Sequence, residues 1–302
     1  MSVVHPATAR RSITPSGIRA WVTDHQVAAF FILTFIVSWS MWLLAYLSGE
    51  GTLQVVWFLI GGFGPMVAGA TITRYTGGSV KSWAAQIVRW RVPARYYAYA
   101  LGLPALIWTV INIELAVFSD KFDLALLPER LQVSVGTFLV VLTVGGGFEE
   151  PGWRGFALGR LQQRLSPVHA TLLLGFVWGL WHIPIYGPLA FPFITMLAFF
   201  YTYLYNKTHS LLLVILLHAT ITPANDTLIL TSRTVHGITD VVIFGTVLAA
   251  AIVLTLMTRG RLGFDPRPRT PSSPHPSHQL EERRIDEQHP DRTQNGEHNG
   301  NT

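Results

Sequence analysis

The chain contains no cysteine, which excludes disulfides and thiolate metal sites and decides nothing about compartment. It is also short of charge. Asp, Glu, Lys and Arg make up 13% of its 302 residues, against about 25% in a soluble domain. That is too little polar surface to coat a water-facing globule. Half of the residues are hydrophobic and the mean hydropathy is +0.36. They fall in long runs rather than alternating patterns, and runs of about 20 match the hydrocarbon thickness of a bilayer. In lipid the backbone satisfies its own hydrogen bonds, so such runs are expected to be helices. The expected fold class is all-α, a polytopic membrane bundle of roughly eight transmembrane helices.

The runs lie near 27–48, 53–73, 97–118, 133–147, 168–186, 189–205, 211–230 and 238–257. Basic residues concentrate in every second link between them. Arg19 precedes the first run, Arg74 to Arg95 fill the link after the second, and Arg154, Arg160 and Arg164 follow the fourth. Lys207, Arg259 and Arg261 continue the alternation, whereas Glu50, Asp120, Asp123 and Glu129 mark the other links. By the positive-inside tendency both termini are expected in the cytoplasm. The pI of 9.7 therefore needs no nucleic-acid partner, because these arginines sit beside spans and meet anionic lipid. Residues 82–97 interleave Trp and Arg and are expected to lie along the cytoplasmic interface. No separate signal peptide and no internal repeat is evident. Three parts are expected: a cytoplasmic segment over 1–24, a membrane-embedded helical domain over 25–260, and a disordered cytoplasmic tail over 261–302.

Charge inside a membrane helix costs at least about 2.5 kcal/mol on insertion scales, so polar groups there need a partner or a task. The densest cluster is GGGFEEPGWR at 145–154, where Glu149 and Glu150 end an apolar run and Arg154 follows a turn later. Adjacent helical residues point about 100° apart, so the two glutamates serve different surfaces. Glu150 and Arg154 are spaced to pair, leaving Glu149 free to face a cavity. The plainer reading has both glutamates solvated at the interface, with Arg154 an ordinary positive-inside residue. His182, one turn after Trp178, and His218 also sit inside apolar runs. A lone histidine there is more often a structural hydrogen-bonder. Two beside a carboxylate pair form a set suited to proton transfer or to catalytic zinc. Thr222 lies one turn after His218, with Asn225 close to the same helix face.

At these residues the chain resembles the CPBP intramembrane endopeptidases, the Abi-type family of CAAX proteases and bacteriocin-processing proteins. The family's EExxxR motif is matched by Glu149, Glu150 and Arg154. Its FxxxH motif maps to Trp178 and His182, with Trp for Phe, and its HxxxN motif begins at His218 but meets Thr222 where Asn is expected. The similarity covers about 140–225. It implies membrane-embedded peptide hydrolysis near the cytoplasmic side, in a multi-pass protein of a prokaryotic cell membrane. The expected site is Glu149, Glu150, Arg154, His182, His218, Thr222 and Asn225, with Glu149 as general base and the roles of the glutamates open to reversal. Glu149, His182 and His218 are also the expected ligands of a divalent metal, zinc by ligand type. A metal-free glutamate mechanism, with the histidines on the oxyanion, is also open.

The expected partners are the lipid bilayer and a peptide or membrane-anchored protein substrate. In a cell without prenylated proteins, peptide processing, bacteriocin maturation or self-immunity would replace CAAX cleavage. A catalytically silent scaffold binding a partner helix or peptide is the alternative, favoured by Thr222. A proton-relaying transporter is a third reading, weakened by the missing repeat. Two features stand open: Glu149 ends its run while His182 lies beyond the midpoint of the next, and Glu114 is a further intramembrane carboxylate, either lining the same cavity or, as expected, snorkelling outward.

Overall fold

Every apolar run becomes a helix in the computed structural model, which describes residues 17–120, 122–231 and 237–265. A short α1 (Ile18–Asp24) leads into α2 (Gln26–Leu47), followed by α3 (Thr52–Gly62), α4 (Gly64–Tyr75) and the single turn α5 (Val80–Ala84). Next come α6 (Ala94–Phe118) and α7 (Leu127–Thr143). Beyond a 3-10 turn at Gly146–Glu149 lies α8, which is α-helical at Glu150–Gly152, π-helical at Trp153–Leu158 and α-helical again at Gly159–Leu161. The bundle closes with α9 (Pro167–Trp181), α10 (Phe191–Thr208), α11 (Leu211–Thr227) and α12 (Ile238–Met257).

Among the described residues five elements are long and apolar enough to cross a membrane, and the pair α3–α4, bent by 43°, makes a sixth where it counts as one span. The bend follows from Pro65 at the start of α4. The other two runs give the shorter α9 and α11, of 15 and 17 residues. Burial orders the layers: 56% of the α10 span is buried, against 11% of α12. Helices α10 and α11 form the centre, while α2, α3 and α12 turn apolar faces outward.

The charge alternation has a geometric counterpart. At one end, Arg160 Nε donates to Gln26 Oε1 at the start of α2, and Ser210 Oγ donates to the Arg89 carbonyl. Asn206 Nδ2 donates to the Leu262 carbonyl beyond α12. The basic links therefore share one face. At the opposite end, Asn112 Nδ2 donates to the Leu228 carbonyl and the Asp123 amide to that of Leu230. The Arg130 guanidinium there holds the carbonyls of Ile229 and Thr231.

One reading needs correction and two others gain detail. Arg154 is no interfacial charge, since it is wholly buried. The packed body extends into the segment expected to be tail, because Leu262 is fully buried and the body ends at Phe264. Within 82–97, Trp83 is buried, whereas Trp90 is exposed beneath the Arg91 guanidinium. Residues 1–16 and 266–302 and the basic residues Lys121 and Arg233 lie outside the described residues.

Helix α8 reaches its depth through contact with α4. A Cβ on Gly152 would lie 2.3 Å from the Pro65 carbonyl oxygen and 2.4 Å from its carbon. Backbone cannot yield as a flexible side chain does, so Gly152→Ala is expected to destabilise the fold by about 1–3 kcal/mol. Thermal unfolding in detergent checks this, and an unchanged transition would remove the α4–α8 contact as a determinant.

Candidate active site

The glutamate pair sits where α7 gives way to α8. The chain there passes so near α11 that a Cβ on Gly146 would lie 2.7 Å from His218 Nε2 and 3.1 Å from Glu149 Oε1. The turn fixes Glu149 and Glu150 in succession, and their side chains diverge as helical geometry requires. Glu150 points inward. Both of its oxygens accept from Arg154 Nη1, at 3.0 and 2.9 Å, and Oε1 also accepts from His218 Nδ1 at 2.8 Å. Glu150 and Arg154 are both fully buried. The pairing expected from their spacing is present, and it extends to a histidine.

Arg154 is held by more than the carboxylate. Its guanidinium lies 4.3 Å from the Trp178 ring and 4.5 Å from the Tyr201 ring, a cation between two aromatic faces. Its Nε and Nη2 have no hydrogen-bond partner among the described residues. The π-helical turn at Trp153–Leu158 begins at this arginine's neighbour, and such turns gather at functional sites because they re-aim one side chain within a helix.

Glu149 faces a cavity of about 240 Å³. Its Oε2 accepts a 2.9 Å hydrogen bond from Trp178 Nε1 and lies 3.8 Å from His182 Nε2. The tautomers follow from the partners. His182 Nδ1 lies 2.9 Å from the Trp178 carbonyl, which can only accept, so Nδ1 carries the proton and Nε2 of the neutral ring a lone pair. His218 is anchored likewise through Nδ1 on Glu150, leaving Nε2 toward Glu149. Thr222, Asn225 and Asp226 continue the cavity wall along α11. Asn225 Nδ2 donates to its neighbour Asp226 at 3.0 Å.

The mismatch in depth is resolved by continuity. The candidate crossing extends from Leu124 to Leu161 across a break at Val144 and Gly145, so Glu149 lies within it rather than at its end. Glu149 is twelve residues before Leu161, about 18 Å, and His182 is fifteen after Pro167, about 22 Å, at 1.5 Å per residue. The α8–α9 hairpin brings them to matching height. Glu114 stands apart, accepting from Thr246 Oγ1 on α12 and absent from the cavity wall.

Sequence reasoning singled out Trp178 only as a substituted motif position and passed over Tyr201 and Gly146. The replacement of Phe by Trp was a signal, because only Trp supplies an N–H. Tyr201 sits in the aromatic run FFYTYLY and carried no distinguishing mark.

As metal donors, the two Nε2 atoms and Glu149 are of the right chemical type. Their arrangement does not close a site: among the described residues no group of three His, Asp or Glu is placed to hold a metal ion.

Residues 131–222 match the family model described as type II CAAX prenyl endopeptidase Rce1-like. This part of the chain is similar to that family. The matched segment contains every expected site residue from Glu149 to Thr222, and Asn225 lies just beyond it. The chain is also similar to CAAX prenyl protease 2 of Methanococcus maripaludis, with 47% identity over 47 residues. That alignment covers 16% of this chain and 17% of the relative's length.

Gly146 gives this geometry a test. A methyl there must displace His218 or Glu149, and misplacement by about 1 Å can cost a hundredfold in rate. For any reaction carried by Glu149 and His218, Gly146→Ala is expected to lose about a hundredfold in rate, and a rate within threefold of the unmodified chain would contradict the arrangement.

Proposed function

We propose that this protein is an intramembrane endopeptidase in which Glu149 activates the attacking water. One observation carries the reading. Of two adjacent buried carboxylates, Glu150 is taken up by Arg154 and His218, while Glu149 is turned into a cavity beside two histidines. The resemblance to type II CAAX prenyl endopeptidases supports the same reaction class.

In this reading, Glu149 accepts one proton from water as the water oxygen bonds to the scissile carbonyl carbon. His182 Nε2 accepts the water's other hydrogen bond and orients it. His218, held through Nδ1 by Glu150, faces the carbonyl oxygen with Nε2 and stabilises the negative charge that develops there. The Thr222 hydroxyl and the Asn225 amide supply further donors along the same wall. Glu149 then passes its proton to the departing amine nitrogen, the C–N bond breaks, and the products are a new carboxyl group and a new amine. No step requires a metal.

The substrate class is a peptide or a membrane-anchored protein reaching the cavity within the bilayer, and immunity-type or peptide-processing roles fall within it. The transporter reading loses support, since Glu114 is engaged by Thr246 away from the cavity. The scaffold reading rests on Thr222 alone. Incubation of detergent-purified protein with apolar quenched peptides, followed by mass spectrometry of the products, tests the proposal. A discrete cut that creates a new amino terminus is expected. Intact peptides throughout, prenylated CAAX sequences included, would overturn it in favour of the scaffold.

A further inference from the structure

The cavity has a direction. From Glu149 it is lined by the far parts of several helices, measured from the basic face. These include Trp42 in the last third of α2, Tyr186 just beyond α9, Phe193 at the start of α10, and Asn225 and Asp226 at the end of α11. Tyr186 and Asp226 are exposed. The links nearest this end carry Glu50, Asp120, Asp123 and Glu129, and the Arg130 guanidinium there is turned onto the carbonyls of Ile229 and Thr231. On the other side of Glu149, fully buried Trp153, Arg154 and Leu158 of α8 lie between the cavity and the basic face.

Basic links stay cytoplasmic because translocating Lys and Arg is unfavourable. We infer that the chamber opens on the membrane face opposite the basic links, so that this protein takes peptide segments presented on the extracytoplasmic side. This departs from the cytoplasmic-side reaction implied by the motifs, and it rests on the reading that the cavity around Glu149 is the reaction chamber. The reacting groups stay near mid-depth, about 18 Å from the basic end of α8, and only the approach is reversed.

The absence of cysteine makes the test clean. Single variants Asp226→Cys and Tyr186→Cys report the mouth, with Glu50→Cys as marker of the acidic links and Arg164→Cys as marker of the basic face. All four residues are exposed or near-exposed at their sites, and two mouth variants guard against one failing to fold. Cells expressing each variant are treated with a membrane-impermeant maleimide, intact and after permeabilisation. Asp226→Cys and Tyr186→Cys are expected to react in intact cells with Glu50→Cys, at least tenfold faster than Arg164→Cys, which reacts only after permeabilisation. Mouth variants that react with Arg164→Cys, or only once the membrane is dissolved, would overturn the inference. So would reaction of Arg164→Cys in intact cells with Glu50→Cys protected. Labelling needs no turnover, so failure of the protease reading shows separately as peptides left intact.

Discussion

Glu149→Gln is expected to lower kcat/KM for peptide cleavage by about 10²–10⁴-fold, the range set by loss of a positioned general base. The amide keeps the shape of the side chain and can still meet Trp178 Nε1 through its carbonyl oxygen. It cannot take a proton from water. Glu150 and Arg154 are untouched, so thermal unfolding of the variant should match the unmodified chain. Glu150→Gln is expected to behave differently. It weakens the tie to Arg154 and His218, so stability and activity fall together. Comparing the two glutamines by rate and by unfolding assigns the roles that the motif leaves interchangeable. Should Glu150→Gln alone lose activity with an unchanged fold, the assignment would be reversed.

Arg154→Met is expected to destabilise the protein by about 3–5 kcal/mol, because removing one partner of a buried pair leaves an uncompensated charge. The arginine is bonded to both oxygens of Glu150 and flanked by Trp178 and Tyr201, so packing is lost along with charge. The double variant Glu150→Gln with Arg154→Met should recover much of that loss, since no bare carboxylate is then buried. A double-mutant cycle by thermal unfolding measures this coupling. Additive effects would mean that the ion pair is incidental to the fold.

Much of this was legible in the sequence for a simple reason. A bilayer imposes length and apolarity on each span, so the long helices were visible as runs, whereas α8 read as a link. A carboxylate and an arginine four residues apart in such a run have little choice but each other. The central place of α10 and α11 was not legible, because hydropathy does not distinguish lipid from protein surroundings. The depth of Glu149 was hidden for another reason. Gly145, Gly146 and Gly147 read as an end, whereas the structure uses that stretch as a turn within one candidate crossing. The contact between Gly146 and His218 joins residues seventy-two apart, and nothing local announces it. The direction of the cavity was equally invisible, because it depends on which ends of six helices meet.

One measurement bears most directly on the central claim that Glu149 and two histidines hydrolyse peptide bonds without a closed metal site. Purified protein and Glu149→Gln are stripped with chelator, and initial rates on the same quenched peptide are recorded before and after adding zinc. Expected is an unmodified chain whose rate changes less than twofold on stripping, beside a Glu149→Gln protein at background throughout. A rate lost on chelation and restored by zinc, or equal cleavage by the two proteins, would contradict it.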